Sequence, residues 1–118
     1  MVAVWAKAAE RWPEMTFANQ MGNAGIDVMR AFSARREGEM AAFATKSSLA
    51  LALLAATAEC QAGEPENLRR SLRASVRFSE LLATPDPRGE AALERYFTAW
   101  AIRANEERRA AWASRTVE

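Results

Sequence analysis

Apolar residues recur along this chain at spacings of three and four, the pattern that places side chains on one face of an α-helix. The first such stretch follows Pro13, and Glu14 behind it favours a helix start because an acidic residue there complements the helix dipole. Gly22 and Gly25 lie on the apolar side of this stretch. They predict the close approach of a second helix, with a helix break at this point as the alternative. The apolar face comprises Phe17, Met21, Ala24 and Val28.

A second pattern contains the most apolar run of the chain, residues 49–58, and ends at Gly63 and Pro65. Glycine just past one helix and proline at the start of the next is the usual order. The leucines of this run point in nearly every direction around the axis, so we expect this helix to be the most enclosed one, or to face a second chain. Gly38 either ends the first helix or only interrupts it. The apolar residues of the second pattern include Met40, Phe43, Leu49, Leu51, Leu53 and Leu54.

Two further helices are predicted in the second half of the chain. The third covers residues 65–83. The clearest turn of the sequence then leads to the fourth helix, in which Asp86 is expected to cap the first turn ahead of Pro87. The fourth helix is expected to end near Ser114. The apolar side predicted for the third helix carries Leu68, Leu72, Val76 and Ser79, flanked by Phe78, Leu81 and Leu82.

No useful stretch alternates apolar and polar residues with a period of two, and valine and isoleucine are scarce, so the sequence does not predict a β-sheet. The pattern therefore predicts an all-α fold, an antiparallel bundle of about four helices with short connections. The 118 residues are enough for one domain, residues 1–118, with residues 1–12 as a candidate for a separate N-terminal helix or arm. Alanine at many contact positions gives little apolar area per contact, which favours self-association.

Composition removes most catalytic chemistry from consideration. The chain has no histidine, which excludes histidine-based triads and the Glu-x-x-His ligand sets of helical di-iron bundles. The one cysteine, Cys60, is expected to be a small buried residue at the end of the second helix. We therefore expect no enzyme activity, no catalytic or metal-binding residues and no cofactor.

Charge and hydropathy favour a cytoplasmic protein. The formal net charge of +1 gives no global attraction to nucleic acid or to acidic membranes. Lys7, Glu10 and Arg11 interrupt the N-terminal residues where a signal peptide requires an apolar run. Residues 49–58 supply about half of the roughly 20 apolar residues that a membrane span requires. We expect no transmembrane span.

The most distinctive charged feature is a row of arginines on the third helix. Arg69, Arg73 and Arg77 recur every four residues, and Arg70 lies one position to the side. Guanidinium groups bind phosphates and carboxylates through paired hydrogen bonds, so a nucleic acid or an acidic protein is one interpretation. The other, which we favour, is a solvated face whose arginines form ion pairs with glutamates of an adjacent helix or subunit.

Four tryptophans lie in the terminal parts of the chain, Trp5 and Trp12 at one end and Trp100 and Trp112 at the other. They either pack together in the core or anchor a protein interface, because aromatic residues are common anchors of protein association. Trp5 is the best candidate for an exposed interface residue, since it precedes the helix start predicted at Pro13.

The middle of the chain resembles the phasins, helical proteins that coat polyhydroxyalkanoate granules in bacteria. The matching features are the segment AFSARREGEMAAFA, the helix end ATAECQAGEPENL, and a charged helix with Val76, Phe78 and Leu81. This resemblance covers about half of the chain. It implies a bacterial protein without catalytic residues, whose apolar helices contact a granule surface.

The opening VWAKAAE and the paired Arg35 and Arg36 are similar to a second group, the four-helix-bundle proteins associated with ribosomal intervening sequences and with retroelement accessory factors. Together these features predict a non-enzymatic bundle that acts through an amphipathic or oligomeric surface, with coating of an apolar granule as the most specific version. The alternative is a small helical subunit of a nucleic-acid-handling or other multiprotein assembly. The expected partner is a second copy or another protein, and nucleic acid is less favoured. The residues expected to carry these interactions are Met40, Phe43, Leu49, Leu51, Leu53, Leu54, Trp5, Arg69, Arg70, Arg73 and Arg77.

Overall fold

The protein is a bundle of four α-helices. A computed structural model describes residues 10–117, and no strand occurs in this range. Helices without strands in the described residues, joined by short connections, confirm the predicted all-α bundle. Trp5, and residues 1–9 of the expected N-terminal helix or arm, lie outside the described residues. A 3₁₀ helix, Trp12–Glu14, precedes the four helices, which are α1 (Phe17–Arg36), α2 (Met40–Cys60), α3 (Pro65–Ala83) and α4 (Pro87–Val117).

The first and last helices run antiparallel at close range. A Cβ atom at Gly25 would overlap the Cβ of Phe97, and one at Gly22 would lie 3.0 Å from the Cα of Ala101. Because the residue numbers rise along α1 as they fall along α4, the two helices point in opposite directions. α1 continues through both glycines. The predicted close approach is therefore confirmed, and the alternative of a helix break is wrong.

α1 begins after Thr16, one turn later than predicted. The side chain of Thr16 accepts a hydrogen bond from the backbone N–H of Asn19 at 3.2 Å, which satisfies one of the unpaired donors of a first turn. Pro13 lies in the separate 3₁₀ helix. Trp12 in that helix is buried, and its indole N–H donates to Oγ1 of Thr57 at 2.8 Å. The predicted start at Pro13 is wrong because the stronger cap follows it.

Gly38 ends α1. Its φ of 76° lies in the left-handed region, which glycine adopts without steric cost. Its N–H donates to the carbonyl of Arg35 at 3.1 Å, and the N–H of Glu39 donates to the carbonyl of Ala34 at 2.9 Å. These bonds satisfy carbonyls that the helix end leaves unpaired. Of the two alternatives for this glycine, termination is correct.

The most enclosed element is α1, not the leucine-rich helix. α2 and α4 both pack extensively on α1, whereas α3 packs on α2 and approaches α4 closely at few positions. No described helix covers the outer side of α2, which leaves much of that helix half-exposed. The prediction that the leucine-rich helix is the most enclosed one is therefore wrong. The largest fully buried apolar side chains are Met21, Val28, Phe32, Leu54, Phe78, Leu81 and Phe97.

α3 carries apolar residues on two different sides. Phe78 and Leu81 are buried, and the ring of Phe78 packs edge-on against Phe32 with 5.5 Å between the ring centroids. Leu72 and Val76 are 50% and 60% exposed. The apolar side predicted through Leu72 and Val76 is therefore not the core side. The flanking aromatic and leucine side chains fill the core instead.

α2 as a whole meets the length and composition criterion for a membrane span. The helix has 21 residues, its most apolar window has a mean hydropathy of 1.4, and 28% of that window is buried in the bundle. The expectation of no transmembrane span counted only residues 49–58, and it stays a prediction. A core helix of a soluble protein meets the same criterion, so α2 alone makes no case for a membrane.

Candidate functional site

The outer side of α3 carries a groove between two parallel rows of side chains. Residues four apart on a helix form a ridge, and two adjacent ridges leave a groove between them. This groove has a volume of about 510 Å³, and every residue that lines it belongs to α3. We call it the α3 groove. Its two rows are Leu68, Leu72, Val76 and Glu80 on one side and Pro65, Arg69, Arg73 and Arg77 on the other.

The first wall of the α3 groove is apolar and open to solvent. Leu72 and Val76 are among the few large apolar side chains that the described part of the chain leaves exposed. A single exposed leucine is ordinary, whereas adjacent apolar side chains along one ridge form the kind of patch that proteins bury in contacts. Covering these two half-exposed side chains would contribute about 2 kcal/mol to binding.

The second wall is cationic. Arg69 lies 3.3 Å from a carboxylate oxygen of Glu66, and Arg77 lies 3.6 Å from one of Glu80. Both pairs lie within α3, where such exposed contacts contribute little to stability. Arg73 has no carboxylate within 4.0 Å among the residues that the structure describes. Arg77 also lies 3.9 Å from a carboxylate oxygen of Asp86, just before α4. Arg69 and Arg73 form no ion pair with a described residue outside α3, so these two arginines stay accessible to a partner.

A buried ion pair holds the C-terminal end of α3. Arg35 of α1 donates to the carbonyls of Leu81 and Leu82 at 2.9 and 3.1 Å, which satisfies acceptors that the helix end leaves unpaired. Its guanidinium also lies 3.3 Å from a carboxylate oxygen of Glu90, whose side chain is 6% exposed. Glu90 in turn accepts a hydrogen bond from the backbone N–H of Asp86 at 3.2 Å. This cluster joins the ends of α1 and α3 to the start of α4.

A chain of polar side chains holds the N-terminal end of α3. Gln61, just after α2, donates to the buried Gln20 of α1 at 3.2 Å and accepts from Asn67 of α3 at 3.2 Å. Arg70 donates to the side-chain oxygen of Asn67 at 3.1 Å, and its guanidinium lies 5.9 Å from the ring centroid of Trp100 on α4. Specific contacts therefore fix both ends of α3, and the groove lies on a well-positioned helix.

The apolar residues predicted as interaction residues on the leucine-rich helix are exposed to different degrees. Among the predicted apolar residues of α2, only Met40, at the start of the helix, is strongly exposed. The other members on α2 lie in the core or pack against it, three of them only partly buried, and the alternative that α2 faces a second chain stays a prediction. These residues are Phe43, Leu49, Leu51, Leu53 and Leu54.

The described tryptophans have three different environments. Trp12 is a core residue. Trp100 is half-buried and packs edge-on against Phe17 with 4.9 Å between the ring centroids. Trp112, near the end of α4, is 67% exposed. The interpretation in which the tryptophans pack together fails for these three residues, because no ring contact joins any two of them.

The structure places the one cysteine and tests the described carboxylates as metal ligands. Cys60 is exposed, so the expectation of a buried residue is wrong; it is the last residue of α2, where no described helix covers it. Across residues 10–117, no group of three or more cysteine, aspartate or glutamate side chains is placed to hold a metal ion.

Asp27 of α1 is a buried acid that lines a second groove. Burial raises the pKa of Asp27 above its ordinary value of 3.8, and the nearby charges of Lys46 and Arg30 oppose that effect. The two cations lie 3.9 and 3.8 Å from Oδ1, and this oxygen makes no hydrogen bond with any described residue. The groove has a volume of about 380 Å³, and its apolar lining includes Ile26 and Leu49.

The raised pKa of Asp27 has a consequence for stability. The folded state holds the proton more tightly than the unfolded state, so the favourable contribution is present at low pH and is lost as pH rises through the raised pKa. We expect Asp27→Asn to increase the free energy of unfolding relative to the wild type at pH 7, and to have a smaller effect near about pH 4. Urea unfolding of both proteins at the two pH values measures the difference. A gain that is larger at the lower pH would contradict the assignment.

Comparison of the chain with protein-family models, curated proteins and solved structures finds no match. The geometry itself defines the class of protein. It is a small all-α bundle in which one helix is fixed at both ends and presents an amphipathic outer side.

Sequence reasoning missed the residues that position α3. Arg35 and Glu90 are separated by 55 positions, so no local spacing connects them. Trp100 lies beside Arg70 although no aromatic residue interleaves with the arginines in the sequence. The one available signal was the acidic residue in the first turn of α4, which is typical of a helix N-terminus and gave no hint of a distant arginine.

Proposed function

We propose that the protein is a non-catalytic binding module that docks an acidic, amphipathic α-helix of a partner protein in the α3 groove. The observation that carries the proposal is the composition of this groove. An exposed apolar row containing Leu72 and Val76 runs beside a row of arginines in which Arg73 has no carboxylate partner in the described part of the chain. α3 is held at both ends, so a partner meets a surface that is already ordered.

The shape of the surface favours a helix as the partner. Helices pack by inserting a ridge of one into the groove between two ridges of the other. The α3 groove is such a space, and its rows extend along most of a 19-residue helix. A partner helix that follows it would place its own apolar ridge against Leu68, Leu72 and Val76. This is the arrangement by which amphipathic helices are bound in apolar grooves of other proteins.

The charge of the surface favours an acidic partner. α3 contains four arginines and two glutamates, so a carboxylate row next to the partner's apolar ridge would face a cationic wall. A second copy of this chain is a poor occupant. Antiparallel packing of α3 on α3 brings the two arginine rows together, and parallel packing sets each arginine row against an apolar row. An apolar granule surface is also a poorer match, since it offers no carboxylates to the cationic wall.

The proposal is tested with a helical peptide of the same length as α3. The peptide carries leucine at every fourth position and glutamate at each following position, and its control has lysine in place of glutamate. We expect saturable binding of the acidic peptide alone. Leu72→Ser together with Val76→Ser should weaken that binding by at least about tenfold, because the lost burial exceeds about 1.4 kcal/mol. Isothermal titration calorimetry measures both affinities.

Ile102→Ser is the matched control variant. Ile102 lies on α4 and is 56% exposed, between the values for Leu72 and Val76, but it does not line the α3 groove. We expect it to leave the affinity unchanged, and all the variants to retain the wild-type melting temperature. Equal binding of the two peptides would contradict the proposal. So would a preference for a single-stranded oligonucleotide with a steep salt dependence, which would favour the nucleic-acid alternative, or binding to a triacylglycerol emulsion without binding to the peptide.

A further inference from the structure

A second feature of α3 faces α4. The two helices approach each other closely at few positions, and a cleft of about 280 Å³ lies between them. The side chains of Ala74 and Leu93 give this cleft an apolar floor, and both are buried. We call it the α3–α4 cleft. The polar residues that line it are Arg70, Arg73, Arg77 and Tyr96.

The three guanidinium groups of the cleft are unevenly neutralised. Arg77 lies 3.6 Å from Glu80 and 3.9 Å from Asp86. Arg70 and Arg73 have no carboxylate within 4.0 Å anywhere in residues 10–117. Positive charge is therefore in excess at the Arg70 end of the cleft. A bound anion would relieve the repulsion between neighbouring guanidinium groups.

Tyr96 adds a neutral donor to the same cleft. Its hydroxyl makes no hydrogen bond with another described residue. Its ring is held in place by aromatic neighbours, with 5.7 Å between its centroid and that of Phe97 and 6.4 Å to that of Trp100. A phenol O–H fixed in this way is available to an acceptor atom of a ligand.

We infer that the α3–α4 cleft binds a dianionic phosphate monoester. Guanidinium groups bind phosphate oxygens through paired hydrogen bonds, and Arg70 is already oriented by its contacts with Asn67 and Trp100. The two negative charges of a dianion equal the two positive charges of Arg70 and Arg73, which have no carboxylate partner in the described part of the chain. The apolar floor suits the organic substituent of an ester, which inorganic phosphate lacks. The same group occurs on small metabolites and on phosphorylated side chains, and the test separates the two sources.

This inference does not depend on helix docking. Arg70 and Tyr96 line the cleft and not the α3 groove, whereas Leu72 and Val76 line the groove and not the cleft. Arg73 lines both, as does Arg77, so the test leaves these two residues unchanged. Failure of one proposal therefore leaves the other standing.

The test titrates phenyl phosphate into the full chain at low ionic strength and follows binding by calorimetry. We expect saturable binding that Arg70→Gln weakens by about tenfold or more and Tyr96→Phe weakens by about threefold to tenfold, because each removes a hydrogen-bond donor. Tyr96→Phe removes only a hydroxyl, so it decides the question even where Arg70→Gln impairs folding. Arg109→Gln, at an exposed arginine of α4 outside the cleft, should leave the affinity unchanged.

Two further ligands test whether the charge of the phosphate matters and which kind of molecule carries it. Methyl phenyl phosphate carries the same ring with one negative charge, and we expect it to bind at least about fivefold more weakly. A short phosphoserine peptide presents the dianion on a side chain. Tighter binding of the peptide would indicate a phosphorylated side chain as the ligand, and tighter binding of phenyl phosphate would indicate a small metabolite. The inference is overturned when neither monoester binds saturably, when Tyr96→Phe and Arg70→Gln bind as the wild type does, or when a single-stranded oligonucleotide binds more tightly than both monoesters.

Discussion

Glu90→Gln is expected to destabilise the bundle by about 3 kcal/mol, the low end of the cost of removing one partner from a buried ion pair. The glutamine has nearly the same shape as the glutamate, so packing is preserved while the charge is lost. Arg35, whose side chain is 15% exposed, would then remain largely buried without a carboxylate. Urea unfolding followed by circular dichroism measures the change in the free energy of unfolding.

Glu94→Gln is the matched control for this change. Glu94 lies one turn further along α4, is more exposed, and reaches only Arg36 at 3.9 Å. Because an exposed ion pair of this kind contributes little, we expect a loss of about 0.5 kcal/mol or less. Equal losses in Glu90→Gln and Glu94→Gln would mean that the cluster around Arg35 does not hold the end of α3.

Gly25→Ala is expected to destabilise the protein by about 1–3 kcal/mol, although the same change ordinarily stabilises a helix by about 1 kcal/mol. The reversed sign follows from the overlap between the new Cβ and the buried Phe97. Phe97→Ala creates room at this point, so in that background Gly25→Ala should become neutral or stabilising. The coupling between the two sites is read from a double-mutant cycle of unfolding free energies.

Gly63→Ala serves as the control for the glycine change. Gly63 lies between α2 and α3, and an added Cβ would meet no atom within 4 Å. We expect a change in stability of a few tenths of a kcal/mol, at most about 0.5. A Gly25→Ala protein as stable as the Gly63→Ala protein would show that α1 and α4 are not packed at the distance described.

Much of the fold is readable from local pattern. Spacings of three and four predict the four helices, and glycines on the apolar side of α1 predict the close contact with α4 because only a missing side chain allows it. The turn at Gly38 marks a helix end for a local conformational reason, its positive φ. The start predicted at Pro13 is too early because Pro13 and Glu14 favour a helix start, whereas the hydrogen bond that caps α1 is accepted by Thr16, a residue type that favours this role.

The orientation of α3 could not be read in the same way. Its sequence has two apolar sides, one with Leu72 and Val76 and one with Phe78 and Leu81, and helical spacing alone does not rank them. The choice depends on which side meets α2 and Phe32, and this is a property of the assembled bundle. The candidate site is the side that the core leaves uncovered, so the sequence predicts its arginines and its apolar row but not that this row is exposed.

The α3–α4 cleft could not be predicted from the sequence for a related reason. Arg70 and Tyr96 lie 26 positions apart, and only the packing of the fourth helix brings them to one cleft. The sequence shows arginines without interleaved aromatic residues. The structure supplies those aromatic residues from another helix, which local spacing cannot reveal.

The most direct test of α3 as the binding surface is to map the acidic helical peptide on the isotope-labelled protein by NMR. We expect the largest shifts of backbone amide signals to fall within residues 65–80, with little change near Ile102 and Trp112 of α4 or Met40 of α2. Shifts centred on any of these three exposed residues of α2 and α4, with α3 unaffected, would contradict the assignment of α3 as the binding surface.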